Sequence, residues 1–473
     1  MTIKFGTEGW RAIMAEEFTA ENVRLVAQAI AEHFLDTGPS SKAGDRRLAV
    51  GYDTRFLSDY FAKAVAEVLA ANGVHVLLTD RWVPTCAVSR FVVDEQLTAG
   101  IMITASHNPA LYNGIKVKES FGGSAVTETV TSIENRIQAH PLKRMPLDQA
   151  VKDGLVESVN MMPAFLNGMR RTIDLKAIRR SRLKVVAESM HGTADSIIAG
   201  LLKGGRCRVE TLHADPDARF GGHAPEPIAL HLKELSSWIK KHKFDIGIAN
   251  DGDADRIGIV APNGQFINPG QLLCVLLDHL MTSRGWTGTV VKTVSNTSMI
   301  ERMTSGLGLK LAETAVGFKY IAKLMLEGDV IIGGEESGGI AVRGYLPDRD
   351  GIFIGLLLLE AMAMQGKSFF DILRRLEKRY GRWHYARRDL TVPFEQSGRL
   401  FEALSKNPPA RLAGVPVAEV KTIDGIKLID QQASWLLFRR SGTEPIVRVY
   451  AESLTASRVT RLLDYGVELL KKA

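Results

Sequence analysis

The sequence has few of the features that mark secreted, membrane or zinc-binding proteins. Only three of its 473 residues are cysteines, and Cys86, Cys207 and Cys274 stand far apart. They form neither a disulfide framework nor a metal-binding spacing, which is typical of a reducing cytosol. The most apolar stretch, residues 352–364, contains Glu360 and is too short to span a bilayer. We therefore expect a cytoplasmic protein without a membrane partner.

Secretion signals, low-complexity tracts, short repeats and long basic runs are also lacking. The opening residues MTIKFG do not resemble the apolar part of a signal peptide. No basic run is interleaved with aromatic residues, so nucleic acid is not an expected partner. The net charge is nevertheless +7, and the calculated isoelectric point is about 9.2. This charge indicates either an ordinary basic surface or one that attracts anionic substrates such as sugar phosphates.

The hydrophobic pattern predicts strands that alternate with helices. A chain of 473 residues exceeds one ordinary core and suggests roughly three or four domains. The predicted strands are 48–52, 74–78, 99–104, 183–187, 208–212, 246–249, 257–260 and 330–332. The predicted helices are 20–36, capped by Thr19, and 61–71, 194–202, 227–242, 318–326 and 456–471. A polar loop is predicted at 38–45.

This alternation predicts the fold class and the division of the chain. Helices between strands indicate a parallel or mixed sheet with helices packed on it. The cycle restarts near residues 183 and 271, and the rhythm changes after about residue 382. We therefore predict an α/β protein with three similar mixed-sheet domains and a smaller α+β domain at the C-terminal end. The predicted domains are 1–150, 151–262, 263–378 and 379–473.

A serine follows one of the predicted buried strands. The strand 99–104 runs into the segment TASHNP, which places Ser106 at a carboxyl strand end, where open α/β sheets bind ligands. His107 beside it can assist proton transfer or hold a phosphate. Serine, asparagine and proline also form ordinary turns, so local chemistry leaves a plain turn as an equal alternative. The pattern is not Gly-x-Ser-x-Gly, which disfavours a hydrolase nucleophile elbow.

Three aspartates alternate with small residues between two further predicted strands. The carboxylates of Asp251, Asp253 and Asp255 can converge on one hard cation such as magnesium. A solvated acidic turn is the weaker interpretation, because three like charges in a tight loop repel one another. A calcium EF-hand is excluded because the flanks are strands. Arg256 and Pro262 also stand where that motif requires glycine and glutamate.

A glycine-rich segment, GGEESGG at 333–339, follows the predicted strand 330–332. Glycines let such a loop approach a ligand closely. Glu335 and Ser337, two residues apart, can hydrogen-bond neighbouring sugar hydroxyls. A glycine-rich turn without a ligand is an equally good interpretation of these residues alone.

A basic segment, RRSGTEP at 439–445, follows in the last predicted domain. It offers the hydroxyls of Ser441 and Thr443, backbone amides and flanking arginines, which together suit a phosphate dianion. Arg448 follows at strand spacing. A basic surface hairpin is the alternative, and the phosphate site is favoured.

Together the four segments resemble the α-D-phosphohexomutase superfamily, which includes phosphoglucomutases, phosphomannomutases and phosphoglucosamine mutases. The similarity begins at KFGTEGWR, residues 4–11, and ends at RVYAE, residues 448–452, with the segments in family order. It therefore covers nearly the whole chain. The resemblance implies four domains around a central cleft, of which the last is smaller and differently folded.

The resemblance implies a role for each segment. Ser106 would carry the phosphoryl group, and Asp251, Asp253 and Asp255 would hold magnesium together with the phosphoserine. The substrate-binding residues implied by matching positions are Arg11, Gly317, Glu335, Ser337 and Arg349. The residues implied to bind the non-reacting phosphate are Arg439, Ser441, Gly442, Thr443 and Arg448.

Some matches are looser, and the proton-transfer roles stay open. Arg349 stands where some phosphoglucomutases have a phosphate-contacting lysine, and arginine keeps the charge but changes the geometry. The position of Arg440 often holds another residue in the family. Arg256 would steady the transferring group. Lys116 and His107 are the candidate bases for the attacking hydroxyl.

The predicted reaction interconverts hexose 1-phosphate and hexose 6-phosphate through a phosphoserine and a bisphosphorylated sugar. Glucose is favoured because EESG resembles the phosphoglucomutase form of the loop; a phosphomannomutase or dual-specificity enzyme is the alternative. A phosphosugar-binding protein without turnover and a phosphatase are further alternatives. Mg²⁺ is the predicted cofactor, and a hexose 1,6-bisphosphate the predicted activator. The expected partners are sugar phosphates, and the chain is expected to be a monomer or homodimer.

Overall fold

The computed structural model describes residues 3–6, 8–37, 46–440 and 445–472. The elements fall into two compact units. The first unit comprises Met1–Ile267, Met325–Glu327 and Ser337–Ser368. The second comprises Asn268–Leu324, Gly328–Glu336 and Phe369–Ala473.

The first unit begins with a six-stranded mixed sheet covered by helices. Its strands are β1 (Trp10–Ile13), β2 (Arg47–Tyr52), β3 (His75–Thr79), β4 (Ala99–Ile103), β5 (Tyr112–Glu119) and β6 (Val156–Val159). They follow the order β1-β5-β4-β2-β3-β6, with β5 antiparallel to its two neighbours and the other pairs parallel. Every residue of β4 is buried, as expected for a strand covered on both faces.

Helices supply the apolar faces that bury this sheet. They are α1 (Ala20–Thr37), α2 (Ser58–Ala71), α3 (Thr85–Asp94), α4 (Thr127–Arg136) and α5 (Leu147–Lys152). The predicted cap of α1 is present, because the amide of Asn22 donates to Thr19 Oγ1 at 3.3 Å. The helices α6 (Met162–Thr172) and α7 (Leu175–Arg180) follow β6.

The first unit also contains a five-stranded mixed sheet. Its elements are β7 (Lys184–Glu188), α8 (Ile197–Leu202), β8 (Arg208–Leu212), α9 (Lys233–His242), β9 (Ile246–Asn250), β10 (Ile257–Val260) and β11 (Phe266–Ile267). The order is β11-β10-β9-β7-β8, parallel from β9 to β8 and antiparallel from β9 to β11. Because the chain reverses between β9 and β10, the loop 251–256 is a tight connection at the end of β9.

A later helix of the chain packs on this second sheet. The strand β15 (Ile340–Val342) and the helix α13 (Gly351–Gln365) belong to the first unit. The amide of Gly351 donates to the carbonyl of Ala254 at 3.0 Å, so α13 begins against the aspartate loop. Asp350 caps the helix through Oδ1, which accepts from the amide of Phe353 at 2.9 Å.

The second unit opens with parallel strands and helices. Its elements are α10 (Pro269–Arg284), β12 (Thr289–Thr293), α11 (Ser298–Leu307), β13 (Lys310–Thr314), α12 (Phe318–Glu327), β14 (Val330–Gly334) and α14 (Phe369–Tyr380). The last three residues of α12 are grouped with the first unit. The strand β12 lies between β13 and β14 and is parallel to both. Their carboxyl ends therefore meet at one edge, where the loops after β13 and β14 lie.

The second unit ends in a smaller antiparallel region. Its elements are β16 (His384–Thr391), α15 (Phe394–Lys406), β17 (Arg411–Leu412), β18 (Val415–Lys421), β19 (Ile426–Asp430), β20 (Trp435–Arg440), β21 (Ile446–Ser453) and α16 (Ala456–Lys472). The strand order is β16-β21-β20-β19-β18-β17. Residues of α15 and α16 share one apolar core with these strands.

The predicted fold class is confirmed, with three α/β regions followed by a smaller α+β region. The predicted strands occur within one or two residues of their predicted positions. Besides β2, β3 pairs with β6, which lies beyond residue 150. The four domain boundaries stay predictions, and the polar loop predicted at 38–45 falls outside the described residues.

The predicted helix 227–242 is wrong in its first part, because α9 begins only at Lys233. Proline is favoured at the first position of a helix, but residues 229–231 after Pro227 form a turn rather than a helix. The carbonyl of Glu226 instead binds the amide of Ile228 and the ring of His231. The helix predicted at 194–202 likewise begins only at Ile197.

We find no single helix among the described residues that is long and apolar enough to cross a membrane. One bent pair, Gly351–Gln365 with Phe369–Tyr380, reaches the required length and composition when taken together.

Candidate active site

Ser106 lies in a buried turn directly after β4. Its φ of 53° is in the left-handed region that residues other than glycine seldom adopt. Its amide donates to Thr104 Oγ1 at 2.8 Å, and its hydroxyl donates to Asp251 Oδ2 at 2.8 Å. His107 Nδ1 lies 3.4 Å from the same hydroxyl. The turn therefore directs the Ser106 hydroxyl at the aspartate loop.

A buried arginine fixes this turn to the end of β2. The side chain of Arg55 is fully buried, and its Nε donates to Asp53 Oδ2 at 3.1 Å. Its remaining donors bind backbone carbonyl oxygens at 2.6 to 3.0 Å, those of Ser106, Asn108, Pro109 and Tyr112. This pair was not predicted from the sequence. The available signal was a polar triplet, Asp53 to Arg55, directly after a predicted strand.

The three aspartates converge in the loop between β9 and β10. Asp251, Asp253 and Asp255 are buried, and one oxygen from each lies within 4.8 Å of the others. Gly252 permits this loop to reach the serine turn, because a Cβ at Gly252 would lie 2.7 Å from the carbonyl oxygen of Ser106. The three carboxylates that the sequence pattern predicts to converge thus lie close together in the structure.

Cationic side chains surround the aspartates. Lys116 Nζ donates to Asp253 Oδ2 at 2.7 Å and to Asp255 Oδ2 at 2.6 Å. Arg349 donates to the same Asp255 oxygen at 2.7 Å and also contacts Glu8. Glu8 in turn lies 3.6 Å from Lys116. These pairs neutralise the charge that three neighbouring carboxylates would otherwise accumulate.

The donor set fits a hard divalent cation. Asp253 Oδ1 and Asp255 Oδ1 are buried and accept no hydrogen bond from any residue that the structure describes. Buried carboxylate oxygens are normally satisfied, so two such atoms within one cluster indicate a missing electrophilic partner. Oxygen-only ligands are those that Mg²⁺ takes in proteins. The residues present therefore fit the predicted metal.

Burial and charge set the protonation of this cluster. Burial, followed by the charges of Asp255 and Asp253, raises the pKa of Asp251 well above its ordinary value. Burial acts in the same direction on Asp255, but Arg349 and Lys116 hold the pKa of Asp255 well below its usual range. Charge is therefore disfavoured on Asp251 and favoured on Asp255.

The two candidate bases differ in charge. Burial, then Arg256 and Arg11, lowers the pKa of His107 well below its ordinary value, so its ring is neutral at neutral pH. Burial also opposes the charge on Lys116, but Asp253 and Asp255 raise the pKa of Lys116 above its usual range. Lys116 is therefore an ammonium as long as both carboxylates face it.

Two further arginines belong to the same network. The amide of Arg256 donates to Asp251 Oδ1 at 2.9 Å, while its Nε is buried without a hydrogen-bond partner among the described residues. Arg11 donates to Asn108 Oδ1 at 2.8 Å and lies 3.9 Å from Glu8. The first unit thus brings together the predicted serine, metal and proton-transfer residues, as well as Arg11 and Arg349.

Other contributors were not found from the sequence. Thr85 Oγ1 donates to Asp253 Oδ2 at 2.5 Å, and the amide of Thr193 donates to the carbonyl of Gly252 at 3.0 Å. Both contacts join segments far apart in sequence, so no local pattern announces them. Glu8 could have been identified as a candidate from the sequence, because it lies inside the N-terminal segment that resembles the superfamily.

The second unit holds the first part of the predicted sugar segment. Glu335 follows β14, is buried, and accepts from the amide of Gly317 through Oε1 at 3.0 Å. The structure thus brings together two residues predicted to recognise the sugar. Glu336 turns to Thr293, whose Oγ1 lies 3.2 Å from Glu336 Oε2. Ser337, the other predicted residue of this segment, is grouped with the first unit.

The second unit also holds the predicted phosphate arginines. Arg439 and Arg448 are directly paired across the antiparallel strands β20 and β21. Arg439 Nε donates to Asp424 Oδ2 at 2.6 Å. Arg448 Nε lies 3.8 Å from Asp389. The predicted phosphate ligands Ser441, Gly442 and Thr443 lie outside the described residues.

Four domain models of one family match successive parts of the chain. They are described as the phosphoglucomutase/phosphomannomutase alpha/beta/alpha domains I, II and III and the C-terminal domain. They match residues 2–144, 163–264, 268–380 and 400–468, respectively.

Full-length relatives agree with these matches. A phosphoglucomutase/phosphomannomutase of Thermococcus kodakarensis is 29% identical over 99% of this chain and 98% of its own. A probable phosphoglucosamine mutase of Pyrococcus abyssi is 32% identical over the same shares. The crystal structure of a putative phosphomannomutase from Thermus thermophilus shows 34% identity and a TM-score of 0.87, covering 100% of this chain and 99% of that one.

These matches extend over nearly the whole chain in the same domain order, and they agree with a buried serine hydroxyl aimed at three aspartates. The chain therefore belongs to the phosphoglucomutase/phosphomannomutase family of phosphohexomutases, which are isomerases that act as intramolecular phosphotransferases.

Proposed function

We propose that the protein interconverts hexose 1-phosphates and hexose 6-phosphates, with glucose as the preferred sugar, through a phosphoryl group on Ser106. One observation carries this proposal. The hydroxyl of Ser106 is buried, strained into a left-handed turn and bonded to Asp251 at 2.8 Å, where three carboxylates converge. An ordinary turn has no need of a buried hydroxyl in that position.

The aspartate loop is the proposed metal site. The superfamily uses Mg²⁺, and Asp251, Asp253 and Asp255 would hold it together with Ser106. When bound, the ion supplies Lewis-acid polarisation of phosphoryl oxygens. Asp251 both faces the proposed metal position and accepts from Ser106, so it aligns the serine with that position.

The proposed transfer moves one phosphoryl group without net consumption. In the first half, a sugar hydroxyl attacks the phosphorus on Ser106, and the bond from phosphorus to Oγ breaks as the new one forms. The hydroxyl proton passes to a protein base, and the departing Ser106 Oγ takes up a proton. In the second half, Ser106 Oγ attacks the other phosphate of the bisphosphorylated sugar and gives up its proton, and the sugar oxygen that is released takes one up. The sugar leaves as the isomer of the one that entered.

Electrostatic stabilisation of the transferring group is assigned to Arg256. Its buried Nε has no partner among the described residues, and its amide is held by Asp251. A fixed guanidinium donor next to a developing negative charge stabilises the transition state without reorganisation.

The base is His107 or Lys116. His107 is neutral and already 3.4 Å from Ser106 Oγ. Lys116 can accept a proton only as a neutral amine, and it can become one only if Asp253 and Asp255 no longer stabilise its ammonium form. The pH profile of kcat in His107→Gln and Lys116→Met separates the two, because the variant that removes the base loses the limb of the profile that this base produces.

Substrate binding is assigned to two groups of residues. Arg439 and Arg448, with Ser441, Gly442 and Thr443, are the proposed ligands of the non-reacting phosphate. The proposed sugar and substrate ligands are Arg11, Gly317, Glu335, Ser337 and Arg349. We further propose that a hexose 1,6-bisphosphate restores the phosphoserine when it is lost to water, and that the chain acts as a monomer or homodimer.

A second candidate differs only in the sugar. The relatives carry names for glucose, mannose and glucosamine substrates. Glucose is preferred here because Glu335, Glu336 and Ser337 match the phosphoglucomutase form of the loop. A dual glucose and mannose enzyme is the alternative, favoured by the double name of the Thermococcus kodakarensis relative.

The test is a substrate panel. Glucose, mannose and glucosamine 1-phosphates are incubated with Mg²⁺ and a hexose 1,6-bisphosphate, and both 6-phosphate product and free phosphate are measured. We expect glucose 6-phosphate to form fastest, with little free phosphate. Stoichiometric free phosphate would indicate a phosphatase, and faster turnover of mannose or glucosamine 1-phosphate would contradict the sugar assignment.

A further inference from the structure

A half-buried carboxylate, Asp424, lies between two of the proposed binding loops. It occupies the turn between β18 and β19, and the side chain is 24% exposed. The next residue, Gly425, has a φ of 86°, and a Cβ there would clash with the carbonyl oxygen of Phe438. Glycine therefore lets this turn lie directly against β20, which carries Arg439.

On one side Asp424 holds the turn after β13. The amide of Val316 donates to Asp424 Oδ2 at 3.0 Å. The next amide, that of Gly317, donates to Glu335 Oε1 at 3.0 Å. Two carboxylates from different loops thus hold two successive amides of one turn, and Gly317 has a φ of 137° that only glycine adopts readily.

On the other side Asp424 holds a proposed phosphate ligand. Arg439 Nε donates to Asp424 Oδ2 at 2.6 Å, so the same oxygen accepts from both the turn and the guanidinium. This bond uses one of the five donors of Arg439. Burial opposes the charge of Arg439, but Asp424 raises its pKa above the ordinary value, which agrees with a tight pair.

The chain of contacts runs from Glu335 through the 316–317 turn and Asp424 to Arg439, entirely within the second unit. A long arginine side chain keeps much rotamer freedom unless a neighbour fixes it. Here Asp424 fixes both Arg439 and the turn at Val316 and Gly317. A shift of either therefore displaces the other.

We propose that Asp424 is a positioning residue of the mutase reaction, which sets the spacing between the phosphate-binding Arg439 and the sugar-recognition turn at Val316 and Gly317. This inference rests on the proposed function of Arg439 and of that turn. The ring and phosphate of a hexose phosphate are only a few bonds apart, so holding the two binding groups close to each other favours binding without touching the reacting atoms.

The test is steady-state kinetics of Asp424→Asn with glucose 1-phosphate. Asparagine keeps the shape but removes the charge that holds Arg439. Loss of a charge-assisted hydrogen bond predicts a rise in KM of roughly tenfold. The change in kcat should stay below about threefold, because the interaction is made equally in ground and transition states. Asp424→Glu, which retains the charge, should lie between wild type and Asp424→Asn.

A double-variant cycle shows whether Asp424 acts through Arg439. Arg439→Ala should raise KM. Adding Asp424→Asn to that variant should raise KM by a clearly smaller factor than Asp424→Asn does in the wild type. The matched control is Asp464→Asn in the same region. Asp464 forms an exposed pair with Arg388, with 55% and 37% exposure, and its substitution should leave KM unchanged. Equal melting temperatures exclude a general loss of fold.

The outcomes separate the inference from the proposed function. Absence of wild-type mutase activity, or an unchanged KM in Arg439→Ala, would contradict the proposed function and the inference together. A raised KM in Arg439→Ala with a normal KM in Asp424→Asn would overturn the inference alone. Fully multiplicative effects of the two substitutions would also overturn it, because independent residues behave in that way.

Discussion

The chemistry of the site depends on single side chains whose charge is controlled by burial. Ser106 is a weak nucleophile in water, yet here its hydroxyl is bonded to Asp251 and its turn is fixed by Arg55. Asp253 and Asp255 are paired with Lys116, whereas burial disfavours the charge of Asp251 and raises its pKa. Under the proposed function, the role of Asp251 conflicts with stability, because its charge would help bind metal, whereas burial disfavours that charge.

This conflict predicts opposite effects of one substitution. In chelator, Asp251→Asn should melt at or above the wild-type temperature, because asparagine removes the cost of burying an ionisable carboxyl next to Asp253 and Asp255. With Mg²⁺, wild type should gain thermal stability and Asp251→Asn should not. Loss of a residue that only supports a metal ligand typically lowers activity by about 10- to 100-fold. The activity of Asp251→Asn should fall by more than that.

The measurements are melting curves and mutase rates with chelator and with Mg²⁺. Asp464→Asn serves as the control, because that exposed carboxylate lies on α16 and pairs only at the surface. Full activity of wild type in chelator, or a normal Mg²⁺-induced shift in Asp251→Asn, would exclude the aspartate loop as the metal site.

Glu335 is the second residue with a directional prediction. Charge-assisted bonds to sugar hydroxyls, together with its bond to Gly317, predict that Glu335→Ala lowers kcat/KM by roughly 10- to 150-fold. Because Glu335 is expected to bind hydroxyls that glucose and mannose share, the loss of kcat/KM should be similar for both sugars. Glu336→Gln should mainly change the ratio of kcat/KM on glucose 1-phosphate to kcat/KM on mannose 1-phosphate, and should change the sum of the two values less.

The assay compares kcat/KM on glucose 1-phosphate and mannose 1-phosphate for wild type and both variants. Glu395→Gln, an exposed glutamate on α15, is the control. If Glu335→Ala keeps wild-type values on both sugars, the loop is a structural turn and the glucose assignment loses its main support.

Among the secondary-structure elements, α13 shows how packing controls the ionisation of a buried carboxyl group. The helix begins at the aspartate loop, and Asp350 caps it while accepting from Tyr345 Oη at 2.8 Å. Burial raises the pKa of Asp350 from 3.8 to about 7. A folded pKa above the unfolded one means that the native state binds the proton more tightly. Its contribution to stability is therefore present below about pH 4 and is lost as the pH rises to about 7.

The prediction follows from this sign. Asp350→Asn keeps a capping oxygen but cannot ionise, so its melting temperature relative to wild type should be higher at about pH 8 than at about pH 5. Each unit of raised pKa corresponds to about 1.4 kcal/mol, so the relative shift should be readily measurable. Melting curves across this pH range, with Asp464→Asn alongside, provide the test. A difference between variant and wild type that does not depend on pH would refute the raised pKa.

The elements also show what sequence could and could not predict. Apolar runs such as β4 and the cap at Thr19 are local features, so they were predicted within a residue or two. The start of α9 was misplaced because the Pro225 to Pro227 segment resembles a helix start by composition. The carboxylate loop was found because its spacing is local. Arg55, Thr85 and Asp424 were missed because their partners are distant in sequence.

Over the whole molecule, the proposed residues are distributed between two compact units. The first holds the proposed phosphoryl-transfer residues together with Arg11, Ser337 and Arg349, and the second holds Glu335, Gly317 and the proposed phosphate-binding arginines. The net charge of +7 is suited to sugar phosphates that carry negative charge at one or both ends.

The central claim is that Ser106 carries the phosphoryl group, and Ser106→Ala tests it most directly. Intact mass and mutase activity are measured for wild type, Ser106→Ala and the control Ser237→Ala, an exposed serine of α9. We predict a phosphorylated fraction in wild type and Ser237→Ala that is absent from Ser106→Ala, with normal melting and nearly complete loss of turnover in Ser106→Ala. Near-normal turnover of Ser106→Ala would contradict the account.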